Sequence, residues 1–250
     1  MATSCRLITI PPSHYCEKAR WALELAKVPF DEERHPPLLN RRATRKAGAG
    51  RTTPVLVADD LVLPDSTDIL EFLQWRHGER WSPYPLDSQH RTEVDELEEL
   101  FDTRLGPHTR RLAYFHLLQN RDLFLRSVLA GVSGGERRIF TALAPVMAIL
   151  MRRGMNINPA SAERSLDRVR EVFSGVNDRL ADGRDYLVGG VFSAADLTFA
   201  ALAAPAVLPR NYGSPLPTLD QLPEGMLKVI EEFRTTTAGE FVLKMYRDHR

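Results

Sequence analysis

The chain has 250 residues, 43% hydrophobic and 26% charged, an ordinary globular composition that fits one large domain or two ordinary ones. Its 33 basic and 33 acidic side chains balance, which argues against a surface built as a whole for nucleic acid or another polyanion. Two cysteines, Cys5 and Cys16, do not make a disulfide framework, and the longest apolar stretch, Ala194 to Leu208, is broken by Asp196, Thr198 and Pro205, so a cytoplasmic protein without membrane contact is expected.

The first eighty residues alternate strand and helix. Arg6 to Ile10 is a short β-branched strand, and Pro11-Pro12 ends it. His14 to Lys27 is rich in helix formers, and Ser13 stands at its N-cap. Cys16, Ala19, Leu23 and Ala26 share one face of that helix, so the Cys16 sulfur is expected to point into the core. Pro29 to His35 reads as a charged edge strand, and Asn40 to Ala47 as a short basic helix ended by Gly48-Ala49-Gly50. Pro54 to Ala58 and Leu61 to Leu63 form a hairpin around Asp59-Asp60. Asp65-Ser66 opens another helix, with Ile69, Leu70, Phe72, Leu73 and Trp75 apolar. Together these predict a small mixed sheet with flanking helices.

His77 to Leu86 is polar, aromatic and proline-broken, and reads as a linker. Beyond it the periods are helical. Val94, Leu97, Phe101 and Leu105 form one stripe; Leu166, Val169, Phe173, Val176 and Leu180 form another. Tyr114 to Met155 is helical with a break at Gly131 to Gly135. That glycine cluster has no preceding strand and no following Lys-Ser/Thr, so it reads as a loop rather than a phosphate cradle. Ser193-Ala194-Ala195-Asp196 is a capping box, with Phe192 and Leu197 as its staple. The helix it opens is apolar nearly all round and should be buried; Pro205 and Pro209 are expected to end it. Met226 to Phe233 gives a further amphipathic helix, and Phe241 to Tyr246 a terminal turn or two.

In this order and at these spacings the motifs resemble those of a soluble glutathione transferase. Ser13-x-x-Cys16 stands where a thioredoxin-like domain keeps a Cys-x-x-Cys turn, here with serine first. Thr53-Pro54 matches the family's cis-proline segment, Asp65-Ser66 its acidic-Ser pair, and Ser193 to Asp196 the cap of its all-helical domain. The resemblance implies a thioredoxin-like α/β domain with a mixed four-stranded sheet over residues 1–80. It implies a linker over 81–87 and an all-α helical bundle over 88–250. The segment from Tyr114 to Asn158 is longer than compact members need.

The resemblance also implies a site. Ser13 would hold the glutathione sulfur as a thiolate, with His14, Tyr15 and Cys16 as alternative sulfur contacts, because the motif's second position is His14 where proline is common. Thr53, beside Pro54, would pair with the cysteinyl backbone. Asp65 and Ser66 would take the γ-glutamyl end, and Arg51 the glycyl carboxylate. Each feature has a plainer reading as a cap, an edge-strand proline or a solvated arginine. Glutathione is then the co-substrate, a small hydrophobic electrophile the second substrate, and the chemistry conjugation, peroxidase or isomerase. Two other readings stand beside it: a thiol-disulfide or deglutathionylating enzyme working through Cys16, and a non-catalytic binding protein on the same fold. A homodimer is implied by the family. No metal is expected, since His14 and Cys16 have no further Cys/His pair to complete a set. The second substrate should lie between the first helix and the first helices of the bundle, with Tyr114, Phe115 and His116 as candidate contacts.

Overall fold

The computed structural model describes residues 5–250. Its first part runs β1 (Cys5–Thr9), α1 (His14–Leu25), β2 (Phe30–Arg34), α2 (Asn40–Lys46), β3 (Val55–Ala58), β4 (Leu61–Leu63) and α3 (Ser66–His77). The sheet order is β2-β1-β3-β4. β1 and β2 are parallel, with Cys5 opposite Phe30, because a helix carries the chain between them; the hairpin strand β3 runs antiparallel to β1, with Leu7 opposite Leu56. Successive side chains of β1 face opposite sides of the sheet. Leu7 enters the main core with Trp21, Leu70 and Leu73, while Ile8 packs with Val55 and Ala43 of α2. Both faces are therefore covered. This is the expected mixed four-stranded sheet with flanking helices.

From Ser88 onward the described chain has helices and no strands: α4 (Ser88–Leu100), α5 (Gly106–Leu117), α6 (Arg121–Val128), α7 (Gly134–Gly154), α8 (Pro159–Leu180), α9 (Ala194–Val207), α10 (Glu224–Arg234) and α11 (Thr237–His249). A π-helical turn, Phe101–Leu105, joins α4 to α5. The stripe from Val94 to Leu105 thus crosses two elements, and Val94, Phe101 and Leu105 stay buried through it. α9 lies at the centre, against α1, α4, α5, α10 and α11, and of its residues only Pro205 is not fully buried. A helix end in such surroundings needs its orphan N–H groups satisfied. The Asp196 carboxylate accepts from the Ser193 N–H at 2.8 Å, the Ser193 hydroxyl at 2.9 Å and the Leu187 N–H at 2.7 Å.

Three sequence expectations need correction, and one segment is more tightly held than its composition suggests. Pro205 does not end α9; the helix runs on to Val207 and stops at Leu208, which takes a left-handed conformation with φ 53°. The C-terminal turn is a full 13-residue helix, because Val242, Met245 and Tyr246 find a partner surface on α9 and α8 and on Trp21 of α1. The segment before α4 is non-helical and anchored: Tyr84 is buried, its hydroxyl donates to Glu98 at 2.7 Å, and Arg91 lies 3.8 Å over its ring. The stretch from Tyr114 to Met155 breaks at Leu118–Asn120 as well as at the glycines.

α1 lies between the sheet and the bundle, and this buries its charged residues as well as its apolar ones. Lys18 is fully buried, with Nζ 2.7 Å from Glu98, 2.8 Å from Asp102 and 3.2 Å from the Thr67 hydroxyl. Arg20 reaches Glu32 at 2.6 Å and the carbonyl of Pro11 at 3.2 Å. Glu17 accepts from the Gly213 N–H at 3.0 Å and from Arg250 at 2.8 Å. The indole of Trp21 donates to the His249 carbonyl at 2.8 Å. A buried charge without a partner is expensive, so these pairs hold the first and last segments of the chain in one arrangement around α1.

Candidate active site

The site starts where β1 stops. Pro11 and Pro12 have no N–H to extend the ladder, and Ser13 turns the chain with φ −71° and ψ 121° into α1. Its Oγ accepts the Cys16 N–H at 3.4 Å, a long cap, and its hydroxyl also reaches the Cys16 sulfur. Free N–H groups and the positive end of the helix dipole gather at this point.

The neighbours of Ser13 are engaged elsewhere. His14 is buried, and its Nε2–H donates to the Gly106 carbonyl at 2.8 Å. Burial, with Arg110 nearby, brings its imidazole down to about 3, so it is neutral at physiological pH. The Tyr15 hydroxyl donates to the Asp102 carbonyl at 2.7 Å, and burial followed by the Asp102 charge raises its pKa. α5 approaches so closely here that a Cβ at Gly106 would lie 2.2 Å from the Tyr15 hydroxyl, which accounts for the glycine. Cys16 is completely buried and burial raises its thiol, the state of a small hydrophobe rather than a nucleophile. Of residues 13 to 16, Ser13 lines the cavity with a hydroxyl that no backbone carbonyl or carboxylate takes up.

In front of Ser13 opens a cavity of about 310 Å³ between the start of α1 and α5. Ser13, His14, Tyr15, Arg51 and Thr53 line it. The Thr53–Pro54 peptide is cis. Pro54 itself is buried behind Thr53 and does not line the cavity. α2 holds this loop in place: the Asn40 amide donates to the Arg51 carbonyl at 3.2 Å and the Thr44 hydroxyl to the Gly50 carbonyl at 2.8 Å. Asp65 and Ser66 are not part of the cavity wall. They sit at the start of α3, Asp65 exposed and accepting the Thr67 N–H at 2.9 Å, Ser66 buried. Thr67 ties that helix start to Lys18 and Asp102, and the Asp65 charge contributes to the rise at Tyr15, so the two helix N-termini are electrostatic neighbours.

The far wall was only partly foreseen. Tyr114 lines the cavity, and no described side chain or backbone group bonds its hydroxyl. Burial pushes it up to about 12. Phe115 instead packs between the two largest hydrophobic clusters, and His116 faces α10 at Gly225. Met151 of α7, Leu208 after α9, and Met226 of α10 complete an apolar wall. Arg110, one turn before Tyr114 on α5, was also missed; its i, i+4 spacing from Tyr114 is the one local signal that it shares that face. Tyr212 closes the rim, donating to the Pro12 carbonyl at 3.2 Å. Among the described residues no group of three or more His, Cys, Asp or Glu is placed to hold a metal, and no helix is long and apolar enough to cross a membrane.

Comparison with known proteins follows the same division of the chain. A family model for the glutathione S-transferase N-terminal domain matches residues 7–81, and one for the glutathione S-transferase C-terminal domain matches residues 159–224. No curated protein matches in sequence. Solved structures match over nearly the whole chain. The beta-etherase LigF from a Sphingobium strain aligns with a TM-score of 0.62 at 18% identity, covering 96% of this chain and 99% of that one. Poplar glutathione transferase F1 aligns with 0.59 at 15% identity, covering 99% and 100%. A glutathione S-transferase from Rhodospirillum rubrum aligns with 0.58 at 18% identity, covering 98% of each chain. At such identities the likeness is one of fold.

Proposed function

Because the chain belongs to the glutathione S-transferase family, we propose that Ser13 holds the sulfur of glutathione as a thiolate and that the cavity presents a small hydrophobic electrophile to it. A free thiol with a pKa near 8.5 is mostly protonated at neutral pH. A hydroxyl donor and the α1 dipole both favour the anion, and the proton leaves to solvent. The thiolate then forms a bond to the electrophilic carbon, and the leaving group departs with its electron pair.

The tripeptide is laid out along the sheet side of the cavity. Thr53 pairs its backbone with the cysteinyl residue as an added strand would. Arg51 takes the glycyl carboxylate, with Arg41 beside it on the same wall. Asp65 receives the α-ammonium group, and Ser66 with the first N–H groups of α3 takes the γ-glutamyl carboxylate. The reaction belongs in the cytoplasm, where glutathione is reduced. The protein works as a homodimer that covers Trp75 of α3 and Leu61 and Val62 of β4, all exposed in the single chain.

The observation that carries this reading is the cavity-lining Ser13 hydroxyl at the mouth of α1, which no carbonyl or carboxylate takes up, between neighbours already bonded to α5 and Asp102. One charge-assisted hydrogen bond to the thiolate is worth roughly 10- to 100-fold in rate. Ser13→Ala is therefore expected to lose that much turnover of an aromatic halide or isothiocyanate while calorimetry still registers glutathione binding. Wild-type turnover in Ser13→Ala would overturn the assignment.

A further inference from the structure

The cavity has a charge imbalance that the tripeptide does not absorb. Three arginines line it, Arg41, Arg51 and Arg110, and no Asp or Glu does. None of the three has a carboxylate partner among the described residues. Arg41 and Arg51 belong to the sheet side, one on α2 and one on the loop before Pro54. Arg110 stands across from them on α5, in the bundle. It lies one turn beyond Gly106, where His14 and Tyr15 meet α5, and one turn before Tyr114. Arg110 and Tyr114 line the same cavity as Ser13, His14 and Tyr15, and the Arg110 charge is felt at His14, Tyr15 and Tyr114.

The rest of that wall is apolar: Ala113, Leu117, Met151, Leu208 and Met226. An unpaired cation next to an apolar surface, with an unbonded hydroxyl four residues along the same helix, is a recognition arrangement for an amphipathic anion. The guanidinium fork matches a carboxylate, and the apolar wall takes the body attached to it. Arg110 is exposed, so water reaches the pair and the apolar wall screens it on one side only.

Building on the glutathione reading above, we infer that the second substrate is an electrophile carrying a carboxylate or equivalent anionic group, bound by Arg110 and Tyr114 on α5 with its apolar body against α7 and α10. This is narrower than a hydrophobic electrophile in general. Glutathione has its own partners on the sheet side, so the two anionic ligands occupy opposite walls and Ser13 lies between them. For an aryl halide acid the reaction balances simply: the sulfur–carbon bond forms, the carbon–halogen bond breaks, halide leaves with the electron pair, and the thiol proton goes to solvent. The carboxylate is a spectator held by Arg110.

The test compares 4-chloro-3-nitrobenzoate with its neutral amide in wild type and in Arg110→Gln. Intrinsic reactivities cancel when the ratio of kcat/KM for acid to amide is compared between the two proteins. That ratio is expected to fall by up to about 5-fold in Arg110→Gln, mainly through KM for the acid, and to recover in part in Arg110→Lys. An unchanged ratio overturns the inference, whether both substrates slow together, as they would if Arg110 served the thiolate, or neither does. A second measurement does not depend on turnover: calorimetric binding of 4-methyl-3-nitrobenzoate and its amide to protein saturated with S-methylglutathione. Acid binding that weakens selectively in Arg110→Gln supports the anionic pocket, even if Ser13→Ala leaves turnover untouched and the sulfur assignment falls. Equal binding of acid and amide in wild type removes the anionic pocket and leaves the glutathione reading standing.

Discussion

Lys18→Met tests whether the buried charge cluster holds the starts of α1 and α3 in place. Methionine keeps the length and the apolar stem of the lysine but not its charge. In the wild type, Nζ sits between Glu98, Asp102 and the Thr67 hydroxyl, and the lysine side chain has no exposure to solvent. Burial alone would lower the lysine pKa, but the two carboxylates outweigh it and raise it, so the ammonium is the stable form. Removing it strands two carboxylates, one nearly inaccessible. Breaking a buried pair from one side costs about 3–5 kcal/mol, a large share of the roughly 5–15 kcal/mol that holds a domain folded. Burial already raises Asp102 against the pull of Lys18, and without the lysine it rises further. The folded Asp102 carboxyl then keeps its proton to higher pH than an unfolded Asp, which titrates near 4. The native state binds more protons across that interval, so the penalty grows as pH rises through it. Urea unfolding should find the variant nearest to wild type at about pH 5 and furthest at about pH 7.5, with Lys18→Met/Glu98→Gln recovering part of the loss. Because Thr67 belongs to the same cluster and adjoins Ser66, KM for glutathione should rise as well. A penalty below about 1 kcal/mol with no pH dependence would mean that water reaches the cluster, and the reasoning would fail.

His14 sets the acid limb of stability. Its imidazole sits at about 3 when folded and near 6.5 when unfolded, so between these values the unfolded chain binds the extra proton and stability falls as pH drops, by up to about 1.4 kcal/mol per unit. His14→Gln keeps a donor for the Gly106 carbonyl and should flatten that limb between pH 6 and 4 in urea unfolding; an unchanged limb would show that His14 is protonated in the fold. Trp75→Glu should convert the proposed dimer to monomers in sedimentation velocity with the circular dichroism spectrum retained, and a dimer that persists would place the interface elsewhere.

Local chemistry made much of the fold legible. β1 and α1 were readable because apolar alternation gives way to helical spacing at a proline pair, and Ser13 fits the cap between them. The hairpin of β3 and β4 is short and contiguous, so its pairing partner is its neighbour. Ser193 and Asp196 marked the start of α9 because a buried helix end has few ways to satisfy its N–H groups. Cys16 was placed on the core face by spacing alone, and the structure buries it completely. Pro205 and the last helix misled for a related reason: helix ends depend on what packs against them, and α11 gains its length from α9 and from Trp21 of α1, about forty and more than two hundred residues away in the chain.

The turn before α1 shows the division most clearly. The sequence by itself determined that residues 13 to 16 open a helix after a terminated strand, that Thr53-Pro54 and Asp65-Ser66 lie at two further element ends, and that an apolar helix is capped at its buried start. These follow from hydrogen-bond stoichiometry and side-chain period within a few residues. Only the tertiary structure decided how each of the four is engaged. α5 takes the imidazole of His14, the Asp102 carbonyl takes the hydroxyl of Tyr15, the core takes Cys16, and Ser13 is left toward the cavity. The same packing carried Lys18, Arg20 and Glu17 into the interior and set Arg110 on the opposite wall. Burial of a charge depends on partners distant in sequence, and no local pattern encodes where those partners arrive.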